Sequence, residues 1–331
     1  MEHLLRIQDF ETIKILADAR RLAVLQLLMA GPMTLSHLGH ALNEQPAQIR
    51  HHLKLLERAG LVEMVDTRVV RGFVEKYYRA KARAFVFQGM VLPASPQREV
   101  IALLGSHDLA LDVMAQFLFQ QKQGIELLVL PVGSLEGLVA LRQGTAQLAA
   151  CHLLDIQSGE YNLPYVRHLF PDREVHLITL AHREQGLLVA PGNPLKIRGL
   201  EDLARPDLTL INRNPGSGTR LWLDTQLGKL SVPVSSLRGY THEVRTHIAV
   251  AEAVRQGKAD VGLGLEAAAR QYNLGFIPLF QERFDLVLPQ EQVGNQRLQP
   301  MFEFIESAEF RKLVADLGGY DTAHTGEQIK V

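Results

Sequence analysis

The sequence predicts a multidomain chain, with an N-terminal α+β domain over residues 1–95 and a C-terminal two-lobed α/β domain over residues 96–331. Two observations support this division. Apolar residues recur at helical spacing through residues 10–59, and the helical pattern then gives way to a short hairpin pattern. Beyond residue 98, β-rich runs alternate with helical stretches, as is typical of α/β domains. Pro93-Ala94-Ser95-Pro96 separates the two patterns.

Composition and charge narrow the class of protein. Hydrophobic residues make up 47% of the 331 residues and charged residues 21%, which excludes a wholly disordered chain. The net charge of −1 is unevenly distributed, because residues 1–95 carry 13 basic and 9 acidic residues and the remainder carries 22 and 27. This asymmetry indicates a nucleic-acid partner for the N-terminal region alone.

The location of the protein is predicted from its cysteine content and its apolar runs. A single cysteine, Cys151, excludes an internal disulfide framework and fits a reducing compartment. No run of about 18 apolar residues is present, so no membrane-spanning segment is expected. The first residues lack the basic and apolar regions of a signal peptide. We therefore expect a cytoplasmic protein without a membrane partner.

The N-terminal region contains the element order of a winged helix-turn-helix. The predicted elements are helices over residues 10–30, 34–42 and 46–59, followed by strands over residues 61–65 and 74–78. Gly31-Pro32 ends the first helix, Thr34 is a suitable N-cap for the second, and Pro46 stands in the first turn of the third. Gly60 follows the third helix, where a left-handed C-cap residue is expected.

The third helix has an apolar face and a polar face. Ile49, Leu53 and Leu56 form the predicted buried stripe. The residues left for the exposed side are Gln45, Gln48, Arg50, His51 and Lys54. Arginine and glutamine can bond to guanine or adenine edges, whereas lysine is better suited to phosphate. These five residues are the predicted DNA-binding residues of the helix.

Residues 15–25 and 49–62 closely resemble the ArsR-type family of bacterial regulators, and the resemblance covers residues 8–83. It implies that the third helix lies in the major groove of double-stranded DNA with the wing beside it. Arg68 and Arg71 of the wing are then expected to contact backbone phosphates. The resemblance also implies a homodimer on a pseudo-palindromic operator, with helices at residues 1–28 and 81–92 as the dimer contact.

The resemblance does not predict a metal sensor. ArsR-type regulators often carry pairs of metal-binding cysteines, but the lone Cys151 lies outside the DNA-binding region. The histidines of the second and third helices lack a convincing ligand pattern, since His51 lies on the face expected to read DNA. No metal site is expected, and the signal must enter through the C-terminal domain.

The C-terminal domain repeats an order of strand and helix. The predicted strands cover residues 100–104, 125–132, 147–152, 174–180, 186–190 and 208–212, and the predicted helices cover residues 108–122, 135–143, 217–227, 243–256 and 266–272. Such an order fits two α/β lobes joined by a hinge. Ligands of such folds bind between the lobes, at the carboxyl ends of strands and the N-termini of helices.

Four segments have this strand-end and helix-start chemistry, namely residues 104–108, 131–135, 212–220 and 241–247. Each presents hydroxyl groups and free backbone N–H groups at the positive end of a helix dipole, which suits an anion. The third segment is the strongest. Its glycines allow close approach of a ligand, and its arginines, Arg213 and Arg220, can form charge-assisted bonds to an oxyanion.

Arg213 through Thr219 resembles the anion loop of type II periplasmic binding proteins for phosphate, tungstate and molybdate, and residues 247–264 resemble the same fold. The whole of residues 98–331 resembles the periplasmic-binding-protein-like domain of cytoplasmic regulators linked to molybdate. Ser106, Ser134, Ser217, Gly218 and Thr219 match oxyanion-contacting positions of those receptors. The cationic candidates Arg213, Arg220, His107 and His247 depart from the neutral donors of molybdate receptors, and suit tungstate, phosphate or an organic anion.

Together these features predict a one-component transcription regulator rather than an enzyme, with molybdate or tungstate as the favoured effector and no cofactor. Two alternatives remain open at this point. The same regulator could sense a small organic acid, or the chain could be an oxyanion-binding accessory protein with vestigial DNA binding. Catalysis has little support, because Gly216-Ser217-Gly218 lacks the lysine and spacing of a P-loop and Ser217 has no apparent triad partners.

Overall fold

The computed structural model describes residues 2–7, 9–70, 73–87, 89–93, 98–121 and 124–331. The chain forms two compact units, Met1–Val91 and Leu92–Val331. Each unit has its own hydrophobic core. In the part of the chain that the structure describes, no helix has the length and apolar character needed to cross a membrane.

The first unit is an α+β winged helix-turn-helix. Its elements are β1 (Leu5–Ile7), α1 (Phe10–Leu16), α2 (Ala19–Ala30), α3 (Leu35–Leu42), α4 (Pro46–Arg58), β2 (Val62–Val70), β3 (Phe73–Ala80) and β4 (Phe85–Phe87). Thr34 caps α3, where its hydroxyl accepts the backbone N–H of His37 at 3.2 Å. Ile49, Leu53 and Leu56 of α4 are buried in the core with residues of α2 and α3.

Three predictions for the first unit are wrong. Residues 1–28 do not form one helix, because Leu5–Ile7 is strand β1. The helix expected over residues 10–30 is two helices, because the carboxylate of Asp18 accepts the backbone N–H groups of Arg20 and Arg21 and begins α2. The helix expected over residues 81–92 is absent from the described residues 81–87 and 89–92. Its aromatic and β-branched residues instead form β4, which pairs in parallel with β1.

The second unit is an α/β fold with these elements: β5 (Arg98–Gly105), α5 (Leu109–Gln120), β6 (Gly124–Pro131), α6 (Ser134–Gln143), β7 (Leu148–Cys151), α7 (Leu163–Leu169), β8 (Val175–Val189), β9 (Leu210–Arg213), α8 (Gly218–Lys229), β10 (Glu243–Val244), α9 (His247–Arg255), β11 (Val261–Leu265), α10 (Glu266–Gln271), β12 (Gly275–Pro289), α11 (Gln290–Val293), α12 (Gln299–Glu306), α13 (Ala308–Asp316), β13 (Tyr320–Asp321) and β14 (Gln328–Lys330). Within the described residues, its strands form one sheet in the order β10-β9-β11-β8-β12-β7-β5-β6, with β13 and β14 added to β8.

The sheet divides the second unit into two lobes. We call the part around β5, β6 and β7 lobe one and the part around β9, β10 and β11 lobe two; strands within each lobe are parallel. The long antiparallel strands β8 and β12 pair with each other and run through both lobes. They pair with β7 at one end through β12 and with β11 at the other through β8. The carboxyl ends of the parallel strands therefore face one another across a cleft.

Several boundaries in the second unit differ from prediction. The two strands expected over residues 174–180 and 186–190 are the single strand β8, because the polar residues between them continue the pairing with β12. The helix expected over residues 243–256 begins only at His247, since residues 243–244 pair with β9 and Thr246 caps α9. Helix α7, strand β12 and helices α11 to α13 are additional elements that the sequence analysis did not predict.

Candidate functional sites: a winged helix and an oxyanion cleft

Helix α4 presents one polar face to solvent. Gln48, Arg50, His51 and Lys54 are exposed and lie opposite the buried stripe of Ile49, Leu53 and Leu56, and Gln45, the N-cap residue before the helix, is exposed as well. The structure thus brings the predicted DNA-binding residues of this helix onto one face. The ring of His51 meets the ring of the half-buried His52 edge-on, with centroids 5.7 Å apart.

The wing is the antiparallel hairpin of β2 and β3. Arg68 lies on β2 with its side chain 63% exposed, and its Nε donates to Asp66 at 2.7 Å. Its guanidinium also lies 4.8 Å from the ring centroid of Tyr77. These contacts hold the cation on the strand while leaving it accessible to a phosphate. The other predicted wing cation, Arg71, lies outside the described residues.

In lobe one, the structure brings two predicted serines together with a histidine that was not predicted. Ser106 follows β5, Ser134 is the first residue of α6, and their Oγ atoms lie 2.9 Å apart. His152 follows β7, and its Nε2 lies 3.0 Å from Ser106 Oγ while its backbone N–H donates to Ser134 Oγ at 3.2 Å. All three residues are buried. The other candidate in this loop, His107, instead pairs with Asp112.

In lobe two, Arg213 and His247 form a buried pair. The Nη1 of Arg213 lies 2.9 Å from His247 Nε2, and its Nη2 donates to the carbonyl oxygen of Arg245 at 2.9 Å. A guanidinium can only donate, so His247 Nε2 accepts and the ring proton lies on Nδ1. Burial and the neighbouring Arg213 hold the pKa of His247 well below its usual value, so the ring is neutral. His247 therefore positions the guanidinium of Arg213.

Arg213 is a buried cation without a carboxylate partner among the described residues. Its side chain is only 1% exposed, and its Nε has no hydrogen-bond acceptor there. Burial, reinforced by repulsion from Arg183, lowers its pKa to about 9. An uncompensated buried charge is strongly unfavourable. The hydroxyl of Thr219, in the first turn of α8, is likewise buried and unpartnered within the described part of the chain.

The remaining candidates of the third segment have other contacts. Ser217 caps α8, because its hydroxyl donates to the Asn214 carbonyl at 2.9 Å and accepts the backbone N–H of Arg220 at 3.3 Å. The guanidinium of Arg220 donates to the Arg213 carbonyl oxygen at 3.0 Å, pairs with the carboxylates of Asp224 and Glu243, and lies 4.0 Å from the ring centroid of Tyr240. The charge of Arg220 is therefore balanced within lobe two.

The two lobes contact each other at the loop before α8. The side-chain amide of Asn214 donates to the carbonyl of Val132 at 3.1 Å across the cleft. Gly218 packs against His152 so closely that a Cβ atom on this glycine would lie 2.2 Å from the His152 carbonyl oxygen. Glycine is required at this contact because the backbone of one lobe approaches the other. Ser106, Ser134, Ser217 and Arg213 are all buried on the two sides of this contact.

A network of buried ion pairs connects β8 and β12 with the serine and histidine residues of lobe one. Arg183 of β8 pairs with Glu282 of β12 at 2.7 Å and with Asp108, and all three are buried. Glu282 also accepts from His152 Nδ1 at 2.7 Å and from the side-chain amide of Gln185. Burial alone would raise the pKa of Glu282, but the hydrogen bonds from His152 and Gln185 and the charge of Arg183 hold it below its ordinary value. Glu282 is therefore an ionised counter-ion of the network.

His152, Arg183 and Glu282 were not predicted from the sequence. A signal was available, because charged residues interrupt otherwise apolar strand sequences at Arg183 and Glu282. A charge within a buried strand needs a partner. The sequence does not show which partner it has. In the part of the chain described, no three histidine, cysteine or acidic residues are arranged to hold a metal ion.

Comparison with known proteins agrees with this architecture. The family model described as the PBP superfamily domain matches residues 115–306, more than half of the chain. The chain belongs to the PBP superfamily. A helix-turn-helix domain model matches residues 16–65, which include α4. The chain therefore joins a helix-turn-helix domain to a PBP superfamily domain.

Two curated relatives are similar in sequence. The uncharacterized protein YvgK of Bacillus subtilis is 35% identical over 239 residues, which cover 72% of this chain and 77% of the relative. An uncharacterized protein from the 5′ region of a ferredoxin 2Fe-2S gene of Clostridium pasteurianum is 36% identical over 108 residues, covering 32% of this chain and 96% of that protein. Neither name states a function.

Solved structures with a similar fold are more distant. A phosphate transport receptor from Vibrio cholerae is 19% identical with a TM-score of 0.45, covering 66% of this chain and 98% of its own. A protein from Clostridium perfringens, described as a putative phosphate ABC transporter substrate-binding protein and solved with bound phosphate, is 13% identical with a TM-score of 0.49. The match covers 67% of this chain and 98% of that protein. The sulfate-binding protein SubI from Mycobacterium tuberculosis is 15% identical with a TM-score of 0.47, and the match covers 68% of this chain and 86% of SubI.

Proposed function

We propose that the protein is a one-component transcription regulator. In this proposal the winged helix-turn-helix binds operator DNA, and the cleft of the second unit binds a small oxyanion, with molybdate or tungstate favoured. The exposed face of α4, with Arg50 and Lys54, supports DNA contact. The functional form is proposed to be a homodimer, because two recognition helices read a pseudo-palindromic site better than one.

Arg213 is the single observation that carries the ligand proposal. The protein keeps this cation almost completely buried, yet none of the described carboxylates pairs with it. A bound oxyanion would supply the missing charge and accept the free Nε–H, while Thr219 would offer a further hydroxyl. Arg183 provides the contrast, because its charge is matched by Glu282 and Asp108.

Ligand binding is proposed to act through closure of the lobes. The loop before α8 touches lobe one at Val132 and His152, so a ligand held by both lobes favours this contact. Closure changes operator affinity only if the anion binds the DNA-bound and free arrangements with different affinity. The proposed coupling is therefore a difference between two measurable binding constants.

A second candidate effector is a small organic acid. A cavity of about 310 Å³ lies beside Gly218 and is lined mainly by apolar residues that include Leu154, Tyr165 and Trp222. An organic anion could place its carboxylate near the loop and its apolar part in this cavity. This candidate keeps the DNA-binding proposal and changes only the chemical class of the effector.

The deciding experiment is thermal unfolding of the protein with molybdate, tungstate, phosphate, sulfate and several organic acids. A ligand at 100 times its Kd contributes about 2.7 kcal/mol, which raises the melting temperature measurably. We expect molybdate or tungstate to raise it and sulfate to leave it unchanged. A response to organic acids alone would select the second candidate, and no response to any anion would contradict the proposed cleft function.

Arg213→Met tests the residue that carries the proposal. The substitution removes an uncompensated buried charge, so we expect the unliganded protein to be as stable as the wild type or more stable. The molybdate-induced rise in melting temperature should be lost. Arg142→Met is the matched control, because Arg142 pairs with Asp172 in a solvent-exposed position outside the cleft. Unchanged molybdate binding by Arg213→Met would remove Arg213 from the site.

A further inference from the structure

The serine and histidine cluster of lobe one has a hydrogen-bond order that can be deduced atom by atom. Glu282 is ionised and can only accept, so the His152 Nδ1 that lies 2.7 Å from it carries a proton. A neutral ring then has only a lone pair on Nε2. Because Ser106 Oγ lies 3.0 Å from that atom, the Ser106 hydroxyl must donate its proton to His152.

The same reasoning determines the hydrogen bonds of the second serine, Ser134. Ser134 Oγ accepts the backbone N–H of His152 at 3.2 Å, and it lies 2.9 Å from Ser106 Oγ. The proton of Ser106 is already used, so Ser134 donates the bond between the two hydroxyls. With a neutral His152, both hydroxyl protons are therefore used inside the protein, and the serines offer only lone pairs to a ligand.

A second proton on His152 reverses this order. The protonated Nε2 donates to Ser106 Oγ, so Ser106 no longer donates its own proton to the ring. Of the two hydroxyl protons of Ser106 and Ser134, one is then no longer used within the cluster. That proton can be donated to an oxygen atom of a bound anion. The proton comes from solvent and no covalent bond other than N–H is formed.

We propose that His152 is a positioning residue that determines the protonation state of the oxyanion the cleft binds. This inference rests on the proposed oxyanion-binding function. A fully deprotonated anion such as molybdate binds together with one proton, which His152 takes up. An anion that carries its own hydroxyl proton can instead donate that proton to a serine lone pair, and it binds without proton uptake.

The charges around His152 agree with this coupling. The groups that face the ring are Glu282 of β12, Arg183 of β8, Arg213 of β9 and His247 of α9. In the unliganded protein, burial lowers the pKa of His152, while Glu282 opposes the decrease and the two arginines reinforce it. A bound dianion offsets the arginine charges, so it raises the pKa of the ring. Protonation of His152 is therefore favoured when the anion is present.

The test is calorimetric titration with molybdate between pH 6.5 and 8.5, in buffers of different ionisation enthalpy. We expect uptake of about one proton and a decrease in affinity of about tenfold per pH unit. The affinity decreases as the pH rises because binding is strongest when His152 is protonated. Affinity that does not change with pH would overturn the inference while leaving the oxyanion proposal intact. Absence of molybdate binding at every pH would overturn the molybdate assignment and this inference together.

Two variants separate positioning from simple structural support. In His152→Gln, a side-chain amide can donate to Ser106 at any pH, so binding should persist without pH dependence. Ser106→Ala removes the link between the ring and the ligand with little change in volume, so it should bind more weakly and also without proton uptake. His324→Gln is the control, since His324 is exposed and pairs with Glu327, and it should retain the wild-type slope. If the molybdate affinity of Ser106→Ala had the same pH dependence as that of the wild type, the proposed coupling of His152 to the ligand through Ser106 would be excluded.

Discussion

Helix α4 and the cleft of the second unit use similar residue types in opposite environments. Arg50 and Lys54 on α4 are exposed, so water satisfies their charges. Arg213 and Arg183 are buried to about the same degree as apolar core residues. In the cleft, Arg183 is matched by carboxylates, whereas Arg213 has no carboxylate partner among the described residues and is the cation that we propose for the ligand.

The environment of a polar residue, rather than its type, decides how much it contributes to stability. An exposed ion pair contributes from zero to about 1 kcal/mol, whereas removal of one member of a buried pair costs about 3–5 kcal/mol. Substitutions in the cleft should therefore change folding and ligand binding. Substitutions on the DNA-binding surface should change DNA affinity and leave stability nearly unchanged.

The largest effect is expected for Arg183→Met. The substitution leaves Glu282 and Asp108 buried without their shared cation, so the free energy of unfolding should fall by about 3–5 kcal/mol in urea denaturation. Arg142→Met, which breaks an exposed pair with Asp172, should cost at most about 1 kcal/mol. Equal losses for the two variants would contradict the distinction between the buried and exposed regions.

A smaller effect is expected for Gly218→Ala. A Cβ at this position would overlap the backbone and ring of His152, so the lobes could not make their observed contact. Molybdate affinity should fall at least about tenfold, or about 1.4 kcal/mol, in calorimetry. Gly228→Ala lies in the same helix, where a Cβ meets no atom within 4 Å, and it should bind normally with equal or higher stability. Normal binding by Gly218→Ala would show that the ligand does not need this contact.

The smallest effect is expected for Arg68→Ala on the wing. Loss of one phosphate contact should weaken binding to all DNA sequences and reduce the slope of log affinity against log salt by about one. The free energy of unfolding should change by no more than about 0.5 kcal/mol, because the pair of Arg68 with Asp66 is exposed. DNA binding at several salt concentrations measures the slope. A slope equal to that of the wild type would exclude Arg68 from the phosphate contacts.

The sequence was most informative where local chemistry determines structure. The cap at Thr34, the buried stripe of α4 and the division into an α+β and an α/β region follow from short-range patterns, and the structure has all three. The break at Asp18 was missed because the apolar spacing continues across it, although the aspartate cap interrupts the helix. Strand β8 was divided in two because its polar middle residues resemble a loop when their partner strand is unknown.

The cleft shows the limit of local patterns. His152 and Glu282 are 130 positions apart, and Ser106 and His152 are 46 apart, so no spacing rule connects them. The predicted Ser106 and Ser134 do meet, because parallel strands end at the same edge of a sheet. Arg220 was predicted on the same grounds as Arg213, yet the structure gives it carboxylate partners. Only the folded arrangement distinguishes the balanced arginine from the unbalanced one.

Short-range patterns in the sequence predict the two fold classes, the exposed polar face of α4 and the helix starts that suit an anion, because periodicity, caps and glycines act over a few residues. The tertiary structure decided which buried charges are matched, how His152 is oriented and which donors remain free. The physical reason is that a charge removed from water needs a partner nearby in space. In this fold, strands β8 and β12 bring those partners from distant parts of the chain.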